Sequence, residues 1–259
     1  MRYGIVGTGS SANSYIFEAQ SGLYIIDNGF SLKEFKSRVS KLGFNYTDIK
    51  GIFLTHNHGD HMKGVSSLSK DLEIPVYAHK FLKGDFFKHI KIEPEQHYTL
   101  DGMDVMPFEL SHDAPNSIGF YFKIGDTRFT LITDTGLITP KMYFLAKRSN
   151  ILFLEANYSV DMLKSSDYPV FLKNRILSSR GHLSNADAIK FLNDLAADEQ
   201  NINIVYLCHL SKNCNSVDEL ENCFINNYKG DIPYRICQRD EYIIPEVVNR
   251  PDMVKITSD

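Results

Sequence analysis

Residues 51–61 read GIFLTHNHGDH, a short apolar run that ends in three histidines and an aspartate. An apolar run of this length suits a strand buried on both faces, so the polar cluster should sit at a strand end inside a layered protein. The chain has 259 residues and only nine histidines, so their crowding between His56 and His61 is not casual. An extended segment sends alternate side chains to the same side, and His56 and His58 can therefore reach one point. Asp60 and His61 lie past the strand end, where a turn can aim them at a second point nearby. Imidazole and carboxylate suit zinc, manganese or iron, and two neighbouring ions form a catalytic pair. The helix-borne pattern H-E-x-x-H is absent, which disfavours a metalloprotease site of that type.

The rest of the chain alternates strands and helices. RYGIVGT, SYIFEA and LYIIDNG read as short strands between glycine-bearing turns. A helix follows, with Ser31 and Glu34 as a capping box, Leu32, Phe35, Val39 and Leu42 as its apolar stripe, and Gly43 as its stop. IPVYAH reads as a strand and KFLKGDFFKH as a helix. MDVMPFEL, SIGFYFKIG and TRFTLITDTG form a meander, and ILFLEAN and NINIVYLCHL are buried strands. Two more helices open at Ser184 and at a second capping box, Ser216 and Glu219. This pattern predicts an α/β protein whose sheets are covered by helices. No linker, low-complexity tract or repeat interrupts it, which predicts a single domain over residues 1–259.

H-x-H-x-D-H after a short apolar strand resembles the signature of the metallo-β-lactamase superfamily. The resemblance extends in order to Asp27 in IIDNG, His112 in LSHDAP, Asp134 in LITDTG and His209 in YLCHLS. It implies a four-layer αββα sandwich, two mixed sheets flanked by helices, with two divalent metal ions at one edge. By that resemblance one ion takes His56, His58 and His112, the other takes Asp60, His61 and His209, and Asp134 bridges them. Asp27 orients ligands by hydrogen bonds. The ions would be zinc or manganese, with iron also compatible.

RGHLSNADAIKFLNDL followed by VYLCHLSKNCN is similar to the nuclease and phosphodiesterase branch of that superfamily. GTGSSANS, THNHGDH, LEANY and YPVFLKNRILSSRGHLSN look like its YycJ/WalJ-type group, bacterial cytoplasmic proteins regarded as phosphodiesterases and DNA exonucleases. Ala12 and Tyr158 depart from that group's common glycine and histidine. The resemblance implies hydrolysis by a bridging hydroxide, with His182, Asp60 and Asp134 as the catalytic residues and His182 serving the scissile phosphate. The GTGSS turn has two readings: Ser10, Ser11 and Asn13 contact phosphate, or the turn simply joins two strands. Lys173, Arg175 and Arg180 either track a nucleic-acid backbone or form a solvated face.

Composition narrows the partners. Net charge is -4, so the whole molecule is not an electrostatic magnet for nucleic acid. No apolar run approaches the roughly 20 residues that span a bilayer, and no secretory signal pattern opens the chain, so a cytoplasmic protein without a membrane partner is expected. Cys208, Cys214, Cys223 and Cys237 contain no C-x-x-C pair and read as reduced thiols. The expected substrate is a phosphodiester, specifically nucleic acid. The rival readings are a small phosphodiester or thioester hydrolase and an iron-dependent oxidoreductase of the same fold.

Overall fold

The computed structural model describes residues 1–239 and 241–244, and the rest of the expected single-domain span lies outside them. The first sheet has six strands in chain order: β1 (Tyr3–Gly7), β2 (Ser14–Glu18), β3 (Leu23–Ile26), β4 (Ile49–Leu54), β5 (Pro75–His79) and β6 (Lys88–Ile92). It begins antiparallel and becomes parallel from β3 onward. The second sheet has seven strands: β7 (Tyr98–Leu100), β8 (Met103–Glu109), β9 (Ile118–Ile124), β10 (Thr127–Ile132), β11 (Ile151–Glu155), β12 (Ile204–Cys208) and β13 (Tyr234–Ile236). The meander β7–β10 is antiparallel, and β10 to β13 are parallel.

Strand alternation explains the layers. In β4, Phe53 joins Phe17, Phe120, Phe122, Phe129 and Phe153 in an aromatic core between the sheets. Its neighbours Ile52 and Leu54 face the other way. They pack with Phe35 and Val39 of α1 (Leu32–Lys41). After α2 (Gly59–Met62), Val65 and Leu68 of α3 (Val65–Leu72) join the same layer. The second sheet repeats the scheme with Leu152 and Leu154 of β11 and Val205 and Leu207 of β12. They meet α4 (Pro140–Ala146), α7 (Asn185–Ala196) and α8 (Val217–Asn227). Two short helices, α5 (Val160–Ser165) and α6 (Val170–Leu177), lie between β11 and α7. Helices thus cover the outer faces of both mixed sheets, in the expected αββα order. No helix of the described residues is long and apolar enough to cross a membrane.

The predicted caps form at Ser31, Ser184 and Ser216, each accepting the backbone N–H three residues on. The predicted helix at KFLKGDFFKH does not form. Residues 80–87 are an irregular crossover, and 88–92 are β6, paired parallel with β5. Leu82 alone of the crossover is buried, so a helix there would have no apolar face to hide. Gly84 lets the chain fold back on Phe86, whose ring would lie 2.1 Å from a Cβ at that position.

Candidate metal centre

The polar residues singled out above collect at the carboxyl ends of the parallel strands, where α/β sheets commonly bind ligands. Asp27 follows β3, His56 and His58 follow β4, Asp134 follows β10 and His209 follows β12. Parallel pairing of Leu154 with Ile132 and of Leu154 with Leu207 brings the ends of β10, β11 and β12 level. Asp27, Asp134 and His209 turn off their strands with φ of 60°, 59° and 60°. Left-handed backbone at a residue other than glycine costs of order 1–3 kcal/mol, and here it aims three side chains into one edge.

Hydrogen bonds set the tautomers. Thr55 gives its N–H to Asp27 Oδ1 and its hydroxyl proton to Asp27 Oδ2, each at 2.8 Å. Its Oγ1 therefore accepts from His56 Nδ1 at 2.9 Å. His61 Nδ1 donates to Asp27 Oδ2 at 2.7 Å. His112 Nδ1 donates to the Gly181 carbonyl at 3.1 Å, and His209 Nδ1 to Glu155 Oε1 at 3.0 Å. Each of these rings is left with Nε2 as a lone-pair donor. His58 Nδ1 approaches His112 Nε2 at 3.2 Å.

The converging atoms fall into sets. Ligand atoms of His56, His58 and His112 lie within 4.8 Å of one another, as do those of Asp60, His61 and His209. Asp134 stands between the sets, with Oδ2 3.2 Å from His61 Nε2 and Oδ1 3.5 Å from His209 Nε2 and 3.8 Å from His112 Nε2. His56 Nε2 and Asp134 Oδ2 are buried with no hydrogen-bond partner. Buried polar atoms without partners are rare and call for an ion or a proton. The donor set of imidazole and carboxylate fits a pair of divalent cations. Burial and neighbouring histidines hold His56 well below the usual imidazole range. Burial lowers His58 and His112 as well, the neutral form that a ligand needs. Burial also opposes charge on His61, but Asp134 and Asp27 outweigh it and push the ring up to about 10.

Glu155 was not among the sequence candidates. It ends β11 with no exposure, accepting His182 Nδ1 at 2.7 Å and His209 Nδ1 on Oε1, and Thr135 and Leu183 N–H groups on Oε2 at 3.1 Å each. One carboxylate thus orients His182 and His209 together. A signal existed: an acid closing the apolar run ILFLE, as Asp134 follows FTLIT. Glu155→Ala should cost about 3–5 kcal/mol of folding stability, because it strands buried donors and ionic partners. A urea titration should show the midpoint falling with an unchanged slope.

Other expected contacts are placed as follows. Asn13 is buried; its side-chain amide donates to Gly9 O and Asp60 Oδ2 at 3.0 and 3.2 Å and lies 3.0 Å from His61 Nε2. Its Oδ1 accepts the Gly9 N–H, so that amide is not offered to phosphate. Ser10 and Ser11 are exposed on the same turn. The turn thereby braces α2, aided by Asn13 N–H donating to Asp60 O at 2.7 Å. Gly29 allows the close approach, since a Cβ there would meet Asp60 O at 2.0 Å. The start of α7 is less open to an anion than its helix dipole suggests. The N–H groups of Leu183, Asn185 and Asp187 go to Glu155, the Tyr158 carbonyl and Ser184. Of the basic residues, Lys173 donates to the Lys164 carbonyl, Arg175 pairs with Asp113, and Arg180 Nε donates to the His112 carbonyl at 3.1 Å.

Comparison with known proteins places this geometry. A model of the β-lactamase superfamily domain matches residues 24–209. The chain is 31% identical over 230 residues to the exodeoxyribonuclease YycJ of Bacillus anthracis, covering 85% of this chain and 86% of that protein. It is 32% identical over 237 residues to the exodeoxyribonuclease WalJ of Streptococcus pneumoniae, covering 87% of each. The crystal structure of the metallo-β-lactamase fold protein YhfI from Bacillus subtilis superposes with a TM-score of 0.70 at 16% identity, covering 93% of this chain and 98% of that one. With the fold, the strand-end ligand cluster and these relatives in agreement, the chain belongs to the β-lactamase superfamily, in the family of the YycJ and WalJ proteins.

Proposed function

We propose that this protein is a metal-dependent phosphodiesterase that degrades nucleic acid as a DNA exonuclease, in the cytoplasm, with the fold as its single domain. The observation that carries this is Asp134 set between two ligand triads, with His182 held beside it on Glu155. His56, His58 and His112 would hold one divalent ion, Asp60, His61 and His209 the other, and Asp134 both. Zinc and manganese suit these donors, and iron is compatible with them. Such ions, when bound, supply Lewis acidity toward phosphate and water of lowered pKa. The chain's own residues do the rest. Asp27 and Thr55 keep the imidazole tautomers correct for ligation. His182, fixed through Nδ1, presents its other nitrogen to the partly open side of the centre and protonates the leaving oxygen. The exodeoxyribonuclease names of the related YycJ and WalJ proteins support DNA as the substrate.

The test is a panel of duplex DNA, RNA, a cyclic nucleotide and a thioester, run on chelator-stripped protein and after return of manganese or zinc. DNA should be degraded from its ends only in the reloaded samples. Preference for the thioester, or full activity after stripping, would overturn the proposal.

A further inference from the structure

The triad histidines differ in how their outer nitrogens are held. His56, His61, His112 and His209 each tie Nδ1 to the protein, on Thr55, Asp27, Gly181 and Glu155, and leave Nε2 for the centre. His58 is reversed. Its Nδ1 lies 3.2 Å from His112 Nε2, inside the cluster, so Nδ1 is its ligand atom. A neutral imidazole that offers a lone pair at Nδ1 carries its proton on Nε2. That N–H makes no hydrogen bond among the described residues. Facing it at 3.6 Å is Asp113 Oδ1, about 0.6 Å beyond an ordinary N–H···O distance. Asp113 Oδ1 is buried and has no hydrogen-bond partner either. His112 Nε2, 3.4 Å from it, cannot supply one, because the His112 proton is on Nδ1. The other carboxylate oxygen, Oδ2, is paired with Arg175 of α6. A buried acceptor and an unpaired donor thus stand opposite each other, with the acceptor anchored from behind.

We propose that Asp113 is a positioning residue for the first metal site: it accepts the His58 Nε2–H and fixes that ring for coordination through Nδ1, while Arg175 fixes Asp113. This rests on the metal-centre reading and goes beyond it by assigning the support of the one triad ring that has none among the described residues. The need is physical. The His58 side chain is 33% exposed, whereas His56 and His61 are fully buried and held by packing. A ring free to rotate must be ordered each time an ion binds. A carboxylate on its far nitrogen supplies that order and makes the ligating lone pair more basic. Asp113 itself stands outside the set of His56, His58 and His112. Arg175 thereby acts on the centre from α6 through Asp113, without touching a ligand.

The test is zinc competition with a chromophoric chelator, on the full chain loaded with zinc. The wild type should hold two zinc ions. Asp113→Ala should weaken one of them about 10- to 100-fold and leave the other unchanged. Arg175→Gln should weaken the same ion by less. The double variant should match Asp113→Ala, because Arg175 acts only through Asp113. The chelator-stripped variants should melt as the stripped wild type does, since a partly exposed ion pair contributes little to folding. NMR of zinc-loaded protein with isotope-labelled histidines reads the tautomer directly. His58 should carry its proton on Nε2, hydrogen-bonded in the wild type and exchanging with solvent in Asp113→Ala. Two ions held equally by the wild type and Asp113→Ala, weakening of both ions, or a His58 proton on Nδ1 would overturn the assignment. Complete loss of one ion would make Asp113 a ligand instead. A wild type that takes up no zinc would sink the metal-centre reading itself.

Discussion

Asp134→Ala protein should carry at most one divalent ion per chain and lose at least about 10²- to 10³-fold in turnover, the range seen when one electrostatic stabiliser of a transition state is removed. Asp134 is 2% exposed and stands between the two triads, so no other side chain can take over its place. An alanine leaves both sets of imidazoles without the shared negative charge and opens a shell that binds metal more weakly. The loss should exceed that from His58→Ala, because His58 belongs to one triad and its side chain is 33% exposed. Elemental analysis of purified protein together with a nuclease assay reads both effects. An Asp134→Ala protein with two ions and full activity would refute the bridging role.

His182→Ala should keep its metal and its fold yet lose about 10²- to 10⁴-fold in turnover on an unactivated phosphodiester. His182 Nδ1 is 3.8 Å from Asp134 Oδ1, at the margin of the centre, and is tied to Glu155 instead. A bis(p-nitrophenyl) phosphate substrate, whose leaving group needs little protonation, should suffer far less. Equal losses on both substrates would assign His182 to holding the phosphate. Loss of metal would make it a ligand, a possibility raised by its grouping with Asp134, Glu155 and His209.

Much of this site could be read along the chain. Short-range patterning located β1 to β5, the strands β8 to β10 of the meander, and β11 and β12, but not the three-residue strands β7 and β13, which are too short to show a pattern. A titratable residue that closes an apolar run is conspicuous, and Asp27, His56 and Asp134 all stand out that way. Glu155 stands in the same kind of place and was passed over, because local pattern does not show what an acid will face. The four donors converging on its two oxygens come from three separate segments, at Thr135, at His182 and Leu183, and at His209, and only folding brings them together.

The same limit explains the other differences. KFLKGDFFKH carries helix-like spacing, but the available partner is the edge of β5, so residues 88–92 pair there as β6 and the segment before them stays irregular. The Gly/Ser turn with Asn13 had two readings, a phosphate contact or a plain turn between strands, and folding turns Asn13 inward beside Asp60 and His61. Arg175 looked like free positive charge, and Asp113, sixty-two residues away in sequence, claims it. Residue type, local spacing and the family resemblance nominated the candidate ligands, and folding brings their atoms together at the strand ends. Which side chains brace them and which are already paired depend on contacts between distant segments, and those are set by how the two sheets pack face to face.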